Sequence, residues 1–328
     1  MAHPPTKPPV AMDDIRSARA RIEDKIRVTP VMTSATLDAL LHARVFLKCE
    51  NFQRAGVFKT RGAFNAVFSL SDSEAVRGVV TSSSGNHAAA ISLAARTRGI
   101  RAYIAMPKIA LQSKVAAVRR YGGEIVWVAG RGEIPTSDEF EAAVARIQIE
   151  TNATTVHPYN DRRTIAGQGT CALEFLEECP DLDFMLAPVG GGGLLSGTAV
   201  AAKALNSDIK VIGCEPAMAD DAHRSLRAGR IIPQTMPRTI ADGLRTSLGD
   251  LTFALISTGV DDIVTVTEDG IVAAMRLAWD ILKIVIEPSS AVALAALLER
   301  RVPAEGKKVG IIVSGGNVDL DNLPWNKK

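Results

Sequence analysis

Four consecutive glycines at residues 190–193 constrain this chain more than any other feature of its sequence. They follow an apolar stretch at 183–189 with the composition of a buried strand, and residues 196–205 after them have the composition of a helix. A glycine loop between a strand and a helix can close its backbone N–H groups around an anion, and the positive end of the helix dipole faces the same point. The segment therefore predicts a phosphate-binding loop in an α/β fold.

The glycine loop could in principle be a Walker loop or a dinucleotide-binding turn. A Walker loop requires Gly-Lys-Ser/Thr after the glycines, and that triplet is absent. A dinucleotide-binding turn fits better, because Gly191, Gly193 and Ser196 have nearly its spacing. Glu215 also closes the next apolar run, where an acid would bind a ribose. Four successive glycines and a mid-chain position count against this turn, but the segment alone does not decide.

Short apolar runs alternate with helical patterns along most of the chain, which is typical of an α/β doubly wound architecture with mainly parallel sheets. The runs with strand-like composition are RGVVTSS, RAYIAMP, EIVWVAG, DFMLAPV, KVIGCEP, DIVTVTE and KVGIIVSGG. At 328 residues and 47% hydrophobic composition, the chain is long enough for two lobes with a large core.

Lys59 is unusual for its place in the sequence. It stands between the strand-like run 45–51 and the helical-looking segment 63–70, so it is expected near the beginning of a helix. There the helix dipole disfavours an ammonium by about 0.3–1 kcal/mol, whereas an imine would not carry that charge. The alternative is an exposed lysine without a chemical role, and the residue alone does not exclude it.

Composition limits the partners and the compartment. The formal net charge of +2 and the scattered basic residues give no electrostatic case for nucleic acid. No apolar stretch reaches membrane-spanning length, and residues 1–10 are a proline-rich lead that we expect to be disordered, not a signal peptide. The four cysteines have no metal or redox spacing, so a reducing cytoplasm is expected.

A family resemblance joins these features. The chain contains, in order, FKTRGA, SSGNHAA, HPYND, IAGQGT, GGGGLLSG, EPAMADDA, TIADGLRTSLG, IEPSSAVALAA and SGGNVDL. This series closely resembles the fold-type II pyridoxal-phosphate (PLP) family that includes threonine/serine dehydratases and serine racemase. The resemblance implies a tryptophan-synthase-β-like fold of two doubly wound lobes with PLP in the cleft, a large domain of residues 1–77 and 156–328, a small domain of residues 78–155, and a homodimer.

The resemblance also implies which residues bind the cofactor. Lys59 would form the imine with PLP, and Asn86 would bind the phenolic oxygen of the cofactor. Ser314 would donate its hydroxyl to the pyridine nitrogen, a neutral partner that makes the ring a weaker electron sink and suits elimination. Without the resemblance, Ser314 could simply cap a turn after a strand. The remaining expected cofactor contacts are Phe58, Gly190, Gly191, Gly192, Gly193 and Leu194.

The same resemblance implies a substrate pocket and a metal site. The α-carboxylate of an amino acid would be bound where a helix starts, by Ser83, Ser84, Asn86 and His87. A plain helix N-cap is the structural alternative for this segment. Glu215, Asp221 and the carbonyl of Ala219 would bind a divalent cation, and their hard oxygen ligands favour Mg²⁺ or Ca²⁺ over zinc.

The function implied is dehydration and deamination of a small 3-hydroxy amino acid, with Lys59 removing the α-proton. Candidate substrates are serine, threonine, 3-hydroxyaspartate and bulkier amino acids such as phenylserine. Ala89 and Val57 stand where the family usually has glutamine and often a small hydroxyl residue, so serine and threonine are less secure as preferred substrates. The alternative is a serine or aspartate-type racemase with side dehydratase activity, using Ser84 as the second acid/base. A non-catalytic or NAD-binding protein remains the rival from another class.

Overall fold

A six-stranded sheet and a four-stranded sheet form the framework of the protein. The structure, a computed structural model, describes residues 8–110, 112–130 and 135–326. The strands are β1 Val31–Met32, β2 Arg44–Cys49, β3 Val79–Ser82, β4 Ala102–Pro107, β5 Glu124–Val128, β6 Thr154–Thr155, β7 Phe184–Pro188, β8 Lys210–Pro216, β9 Asp262–Val266 and β10 Lys308–Val313.

Helices connect most of these strands. They are α1 Met12–Ile22, α2 Ala35–Leu41, α3 Lys59–Phe68, α4 Asp72–Ala75, α5 Asn86–Arg98, α6 Gln112–Arg120, α7 Ser137–Thr151, α8 Arg162–Glu178, α9 Gly193–Leu205, α10 Asp221–Ala228, α11 Asp250–Gly259, α12 Glu268–Leu277 and α13 Pro288–Leu298.

The large sheet has the strand order β1-β2-β10-β7-β8-β9, and the small sheet has the order β5-β4-β3-β6. Only β1 pairs in the antiparallel sense among the paired strands of the described residues. The predicted α/β architecture with mainly parallel sheets is therefore confirmed, and each of the seven predicted apolar runs contains a strand. The strands of the small sheet all lie within Val79–Thr155, whereas the domain boundaries at 78 and 155 stay predictions.

Both faces of each sheet are covered by helices, as the doubly wound prediction requires. On the large sheet, one apolar cluster contains residues of α2, α12 and α13, and a second contains residues of α1, α8, α9 and α11. On the small sheet, α3, α5 and α6 contribute to one cluster and α7 to the other. Because parallel strands end at the same edge, the loops after β7, β8 and β10 share one edge of the large sheet. The segment after β3 meets them where Asn317 donates to Asn86.

Two sequence expectations differ from the structure. Strands β1 and β6 have only two residues each, too few for an apolar alternation to reveal them. Val10 was expected within a disordered lead, but its side chain is buried in the cluster around α1 and α8. The proline-rich composition masked this single apolar anchor, and residues 1–7 of the lead lie outside the described residues.

A buried ion network lies beneath the first turn of α3. Arg61 donates to Glu50 at 2.7 and 2.8 Å and to Glu174 of α8 at 3.1 Å from each of two nitrogens. Lys48 of β2 also contacts Glu174, at 2.6 Å, and donates to the carbonyl of Thr29. The side chains of Lys48, Glu50 and Arg61 have no exposed surface. Burial by itself would raise the pKa of Glu174, but Arg61 and Lys48 hold that pKa below its usual range.

We expect Arg61→Ala to lower the free energy of unfolding by about 3–5 kcal/mol, because removing one partner leaves the opposing buried carboxylates without their counter-charge. Urea denaturation followed by circular dichroism measures this loss. The control is Arg101→Ala, which breaks an exposed pair with Glu124 and should cost less than about 1 kcal/mol. Equal losses in the two variants would contradict a structural role for the buried network.

Candidate active site

Lys59 is the first residue of α3, and backbone contacts fix the segment before it. The N–H of Phe58 donates to the carbonyl of Ser314 at 2.9 Å, and Val57 forms a bridge with Gly315. The amine of Lys59 is half-buried and donates to the carbonyl of Pro158 at 2.9 Å. The predicted lysine and serine thus lie in adjacent segments, although they are far apart in sequence.

The surroundings of Lys59 favour a neutral amine. Burial lowers the pKa of Lys59 to about 8, and the carboxylate of Glu287 acts in the opposite direction. Burial also lowers the pKa of His157 to about 4 and that of His87 well below its usual range, and the charge of Lys59 adds to both effects. Both imidazoles are therefore neutral near pH 7.

Asn86 begins α5 and joins two other segments of the site. Its amide nitrogen donates to both oxygens of Glu287, at 2.9 and 3.0 Å, while its oxygen accepts from Asn317 at 2.9 Å. Burial raises the pKa of Glu287 to about 7, against the effect of the hydrogen bond from Asn86. The carboxyl group of Glu287 thus contacts Asn86 and acts electrostatically on Lys59.

The glycine loop lies between β7 and α9, as predicted, and close packing requires its glycines. A β-carbon at Gly191 would lie 2.3 Å from the ring of Tyr159, and one at Gly190 would lie 2.8 Å from the Cα of Leu244. Gly192 has a φ of 88°, in the left-handed region that glycine favours. Within the described residues, the N–H groups of 190–193 have no hydrogen-bond acceptor. A phosphate fits this loop, and Leu194 follows as the second residue of α9.

The segment Ser83–Gly85 forms the turn between β3 and α5. Ser83 and Ser84 are half-buried, and the hydroxyl of Ser83 accepts from the N–H of Gly85 at 3.2 Å. His87, the second residue of α5, is buried, and its Nε2 lies 3.4 Å from the carbonyl of Val156. Its Nδ1 has no partner among the described residues. In the neutral ring, an Nε2–H that donates to Val156 leaves Nδ1 as an acceptor.

Ser314 directly follows β10 and has 1% of its surface exposed. Its carbonyl accepts from Phe58, but its hydroxyl has no hydrogen-bond partner among the described residues. The hydroxyl of this buried residue is thus free to bind a polar atom of a ligand.

The three residues predicted to bind a metal lie between β8 and α10. The carboxylate of Glu215 accepts from the N–H groups of Ala222 and His223, at 3.0 and 2.9 Å, so it caps α10. Both oxygens of Asp221 are buried without a partner in the described residues, and Ala219 lies in the intervening turn, bonded through its N–H to Pro216. Burial raises the pKa of Glu215 to about 9 and that of Asp221 to about 7. An oxygen-binding cation would satisfy the free carboxylate of Asp221.

This geometry does not support the dinucleotide-binding interpretation. Glu215 is completely buried, and both of its oxygens are bonded to the start of α10. Its carboxylate therefore cannot reach a ribose in the cleft.

Among the described residues, no group of three or more histidine, cysteine or carboxylate side chains is arranged around one point for a metal.

Sequence reasoning missed a loop that contacts both the lysine and the glycines. His157 Nδ1 accepts from the N–H of Asn160 at 2.9 Å, which shapes the loop. Pro158 then accepts from Lys59, and Tyr159 packs on Gly191. The HPYND match lay within the family resemblance, but no local pattern gave these residues a role. Glu287 was missed for a similar reason, because an acid before Pro288 is typical of a helix start.

Comparisons with known proteins agree with this arrangement. A family model described as "Pyridoxal-phosphate dependent enzyme" matches residues 22–315. The chain is 50% identical over 314 residues to a beta-hydroxyaspartate dehydratase from Paracoccus denitrificans, covering 96% of this chain and 98% of the relative.

Serine racemases are similar as well. The chain is 50% identical over 314 residues to a serine racemase from Oryza sativa subsp. indica, covering 94% of this chain and 91% of the relative. The solved structure of maize serine racemase superposes with a TM-score of 0.92 at 48% identity, covering 95% of both chains.

The lowered pKa of Lys59 predicts the pH dependence of imine formation with added PLP in protein from which any cofactor has been removed. Only the neutral amine attacks an aldehyde, so the rate should rise with pH and level off above about pH 8, as the pKa indicates. Stopped-flow absorbance of the imine measures the rate. Glu287→Gln should move the midpoint to lower pH, because the carboxylate stabilises the ammonium. A midpoint near 10.5, the ordinary value for lysine, would contradict the burial argument.

Proposed function

The chain belongs to the family of pyridoxal-phosphate-dependent enzymes, and on this premise we propose that it dehydrates and deaminates a 3-hydroxy amino acid. The α-proton and the β-hydroxyl leave as water, and hydrolysis of the unsaturated product gives a 2-oxo acid and ammonia. The observation that supports this most is Lys59: burial lowers the pKa of its amine to about 8, and the preceding Phe58 donates to the carbonyl of the buried Ser314. A relative with half of its residues identical bears the name of a dehydratase.

The residues around the cleft fit PLP. The free N–H groups of the glycine loop and Leu194 at the start of α9 would hold the phosphate. Ser314 would donate to the ring nitrogen, Asn86 would bind the phenolic oxygen, and Phe58 would border the ring beside Lys59. When bound, PLP supplies a conjugated electron-withdrawing ring that stabilises negative charge at the substrate Cα.

Lys59 would remove the α-proton. A base with a pKa of about 8 has a far larger neutral fraction near pH 7 than an ordinary lysine, and it is still strong enough to accept a proton. Its bond to the Pro158 carbonyl keeps the amine at the cleft rather than in solvent. Of the two neighbouring imidazoles, neither is charged near pH 7, so they do not compete as cationic proton donors.

The substrate carboxylate would bind at the start of α5. The hydroxyls of Ser83 and Ser84 and the first N–H groups of the helix suit an anion there. His87 was predicted to share this role, and we propose a smaller part for it. With Nε2–H directed at Val156, the neutral ring offers a lone pair at Nδ1, which repels a carboxylate.

Racemisation is the alternative function, and Ser84 is the residue that favours it. Its hydroxyl is half-buried and has no hydrogen-bond partner among the described residues, so it is free to exchange a proton with Cα. Several similar proteins bear the name serine racemase. The two activities require the same Lys59 and differ in their need for an acid/base on the opposite face.

We expect Ser84→Ala to suppress inversion at Cα by about 10²–10⁴-fold while largely retaining dehydration of L-3-hydroxy amino acids, because a methyl group cannot transfer a proton. The assay measures 2-oxo acid release and enantiomer ratio for serine, threonine, 3-hydroxyaspartate and phenylserine. Ser83→Ala is the matched control and should affect both enantiomers alike. Lys59→Ala should abolish dehydration. If no 3-hydroxy amino acid yields a 2-oxo acid, the proposed function is wrong.

We also propose that Glu215, Asp221 and the Ala219 carbonyl bind Mg²⁺ or Ca²⁺. Asp221 supports this, since a buried carboxylate without a partner is costly unless a cation compensates it. The site lies in the loop after β8, apart from Lys59, and its cation would act on stability rather than on the reacting atoms.

Asp221→Asn should remove the effect of the cation on thermal unfolding. We expect Mg²⁺ or Ca²⁺ to raise the melting temperature of EDTA-treated wild-type protein, because ligands that bind only the folded state stabilise it. The variant should melt at or above the wild-type temperature in EDTA, since the unpaired charge is gone, and should not respond to either cation. Asp220→Asn, which alters a half-buried neighbour paired with Arg224, should respond normally. Identical wild-type curves with and without cation would exclude the site.

The oligomeric state and the cellular location are also proposals. We propose a homodimer and a cytoplasmic location. Within the described residues, no helix has the length and apolar character needed to cross a bilayer, and none of the four cysteines forms a disulfide.

A further inference from the structure

An ion pair joins the two sheets across the cleft. Lys114 lies on α6, beside the small sheet, and its amine hydrogen-bonds to the carboxylate of Asp242. Asp242 begins a short 3-10 turn, Asp242–Leu244, and Leu244 belongs to an apolar cluster of the large sheet. The two residues are 128 positions apart in sequence, so the fold alone brings them together.

This pair lies beside the residues to which the reaction is assigned. On the α6 side, a β-carbon at Gly85 would lie 3.9 Å from the amine of Lys114, which places that amine next to the Ser83–Gly85 turn. On the opposite side, Leu244 packs on Gly190 of the glycine loop, and the N–H of Gly243 donates to Ser289 at 3.0 Å. The pair therefore borders the space between the proposed carboxylate turn and the glycine loop.

The electrostatics of the cleft agree with this position. Burial is the main cause of the raised pKa of Glu287, Asp242 raises it further and Lys114 lowers it. Both charges of the pair thus act on a carboxyl group that also contacts Asn86. Lys114 brings a positive charge to a part of the cleft that contains two carboxyl groups of the protein.

The pair is also accessible. The side chains of Lys114 and Asp242 are 30% and 41% exposed, and an exposed pair of this kind contributes little to stability. The amine of Lys114 already binds a carboxylate in the cleft without a substrate. A carboxylate of the substrate can therefore replace that of Asp242 at small cost.

We propose that the substrate carries a second carboxylate and that Lys114 binds it, so the preferred substrate is a 3-hydroxy dicarboxylic amino acid of the 3-hydroxyaspartate type. This inference rests on the proposed dehydratase function and names its substrate class. The α-carboxylate binds at the Ser83–Gly85 turn, the amine and Cα face Lys59, and the distal carboxylate takes the place of Asp242 on Lys114.

Binding of L-aspartate and L-asparagine tests the proposal without turnover by elimination. The two ligands have nearly the same shape, differ in the distal charge, and lack the β-hydroxyl. Absorbance titration of the PLP-loaded protein gives both dissociation constants. We expect wild-type protein to bind aspartate about 10- to 100-fold more tightly than asparagine, as is typical of a hydrogen bond to a charged group. The Lys114→Met variant should bind the two ligands with equal affinity.

Three further variants make the result specific. Lys114→Arg keeps the cation and should retain the preference, and Asp242→Asn should strengthen aspartate binding because the competing carboxylate is gone. Lys210→Met is the matched control: it removes a lysine paired with Asp261 at the start of β8, the end of the sheet away from the cleft, and should leave the preference unchanged. In kinetics, Lys114→Met should lower kcat/KM for 3-hydroxyaspartate by the same factor and leave that for serine within about threefold.

Two outcomes would overturn the inference: a wild-type protein that does not distinguish the two ligands, or a Lys114→Met variant that loses affinity for both equally. The second outcome would assign Lys114 to the α-carboxylate. Failure of the proposed dehydratase function differs from failure of this inference. It would appear as an absence of 2-oxo acid from every 3-hydroxy amino acid, whereas the preference for aspartate over asparagine would be unchanged.

Discussion

The buried contact between Arg61 and two glutamates is the interaction on which the rest of the site depends. Arg61 stands two residues after Lys59, in the first turn of α3, and binds Glu50 and Glu174. Those acids belong to the segment after β2 and to α8. The guanidinium is planar and binds carboxylates through paired nitrogens, so it fixes orientation as well as distance. The start of α3, and with it the amine of Lys59, is therefore held in place by buried charges.

Contacts from above complete the arrangement. The carbonyl of Pro158 receives the amine of Lys59, and the neighbouring Tyr159 lies on the glycine loop. One short loop thus sets the spacing between the amine of Lys59 and the N–H groups of the glycine loop. Close packing of this kind permits little adjustment, because an added β-carbon at Gly191 or Gly193 would meet Tyr159.

The sequence predicted the parts of the fold that depend on local pattern. Continuous apolar runs marked the central strands, since these are buried on both faces, and the glycine run marked the loop before α9. The family resemblance supplied Lys59, Asn86 and Ser314 as candidates. Neither source revealed Glu287 beside Asn86 or Lys114 beside Asp242, because those pairs are 201 and 128 positions apart and follow no periodicity. The expected role of His87 depended on a tautomer that only the contact with Val156 suggests.

The position of β10 determines when the site can exist during biosynthesis. This strand is the last in sequence of the ten strands in the described residues, yet it lies between β2 and β7 in the large sheet, and the residues just after it hold Val57 and Phe58. A ribosome-bound chain that lacks residues 308–316 has the lysine and the glycine loop but cannot bring them into register. Binding of the cofactor therefore requires insertion of the strand that comes last in sequence, and retention of the cofactor reports that this insertion has occurred.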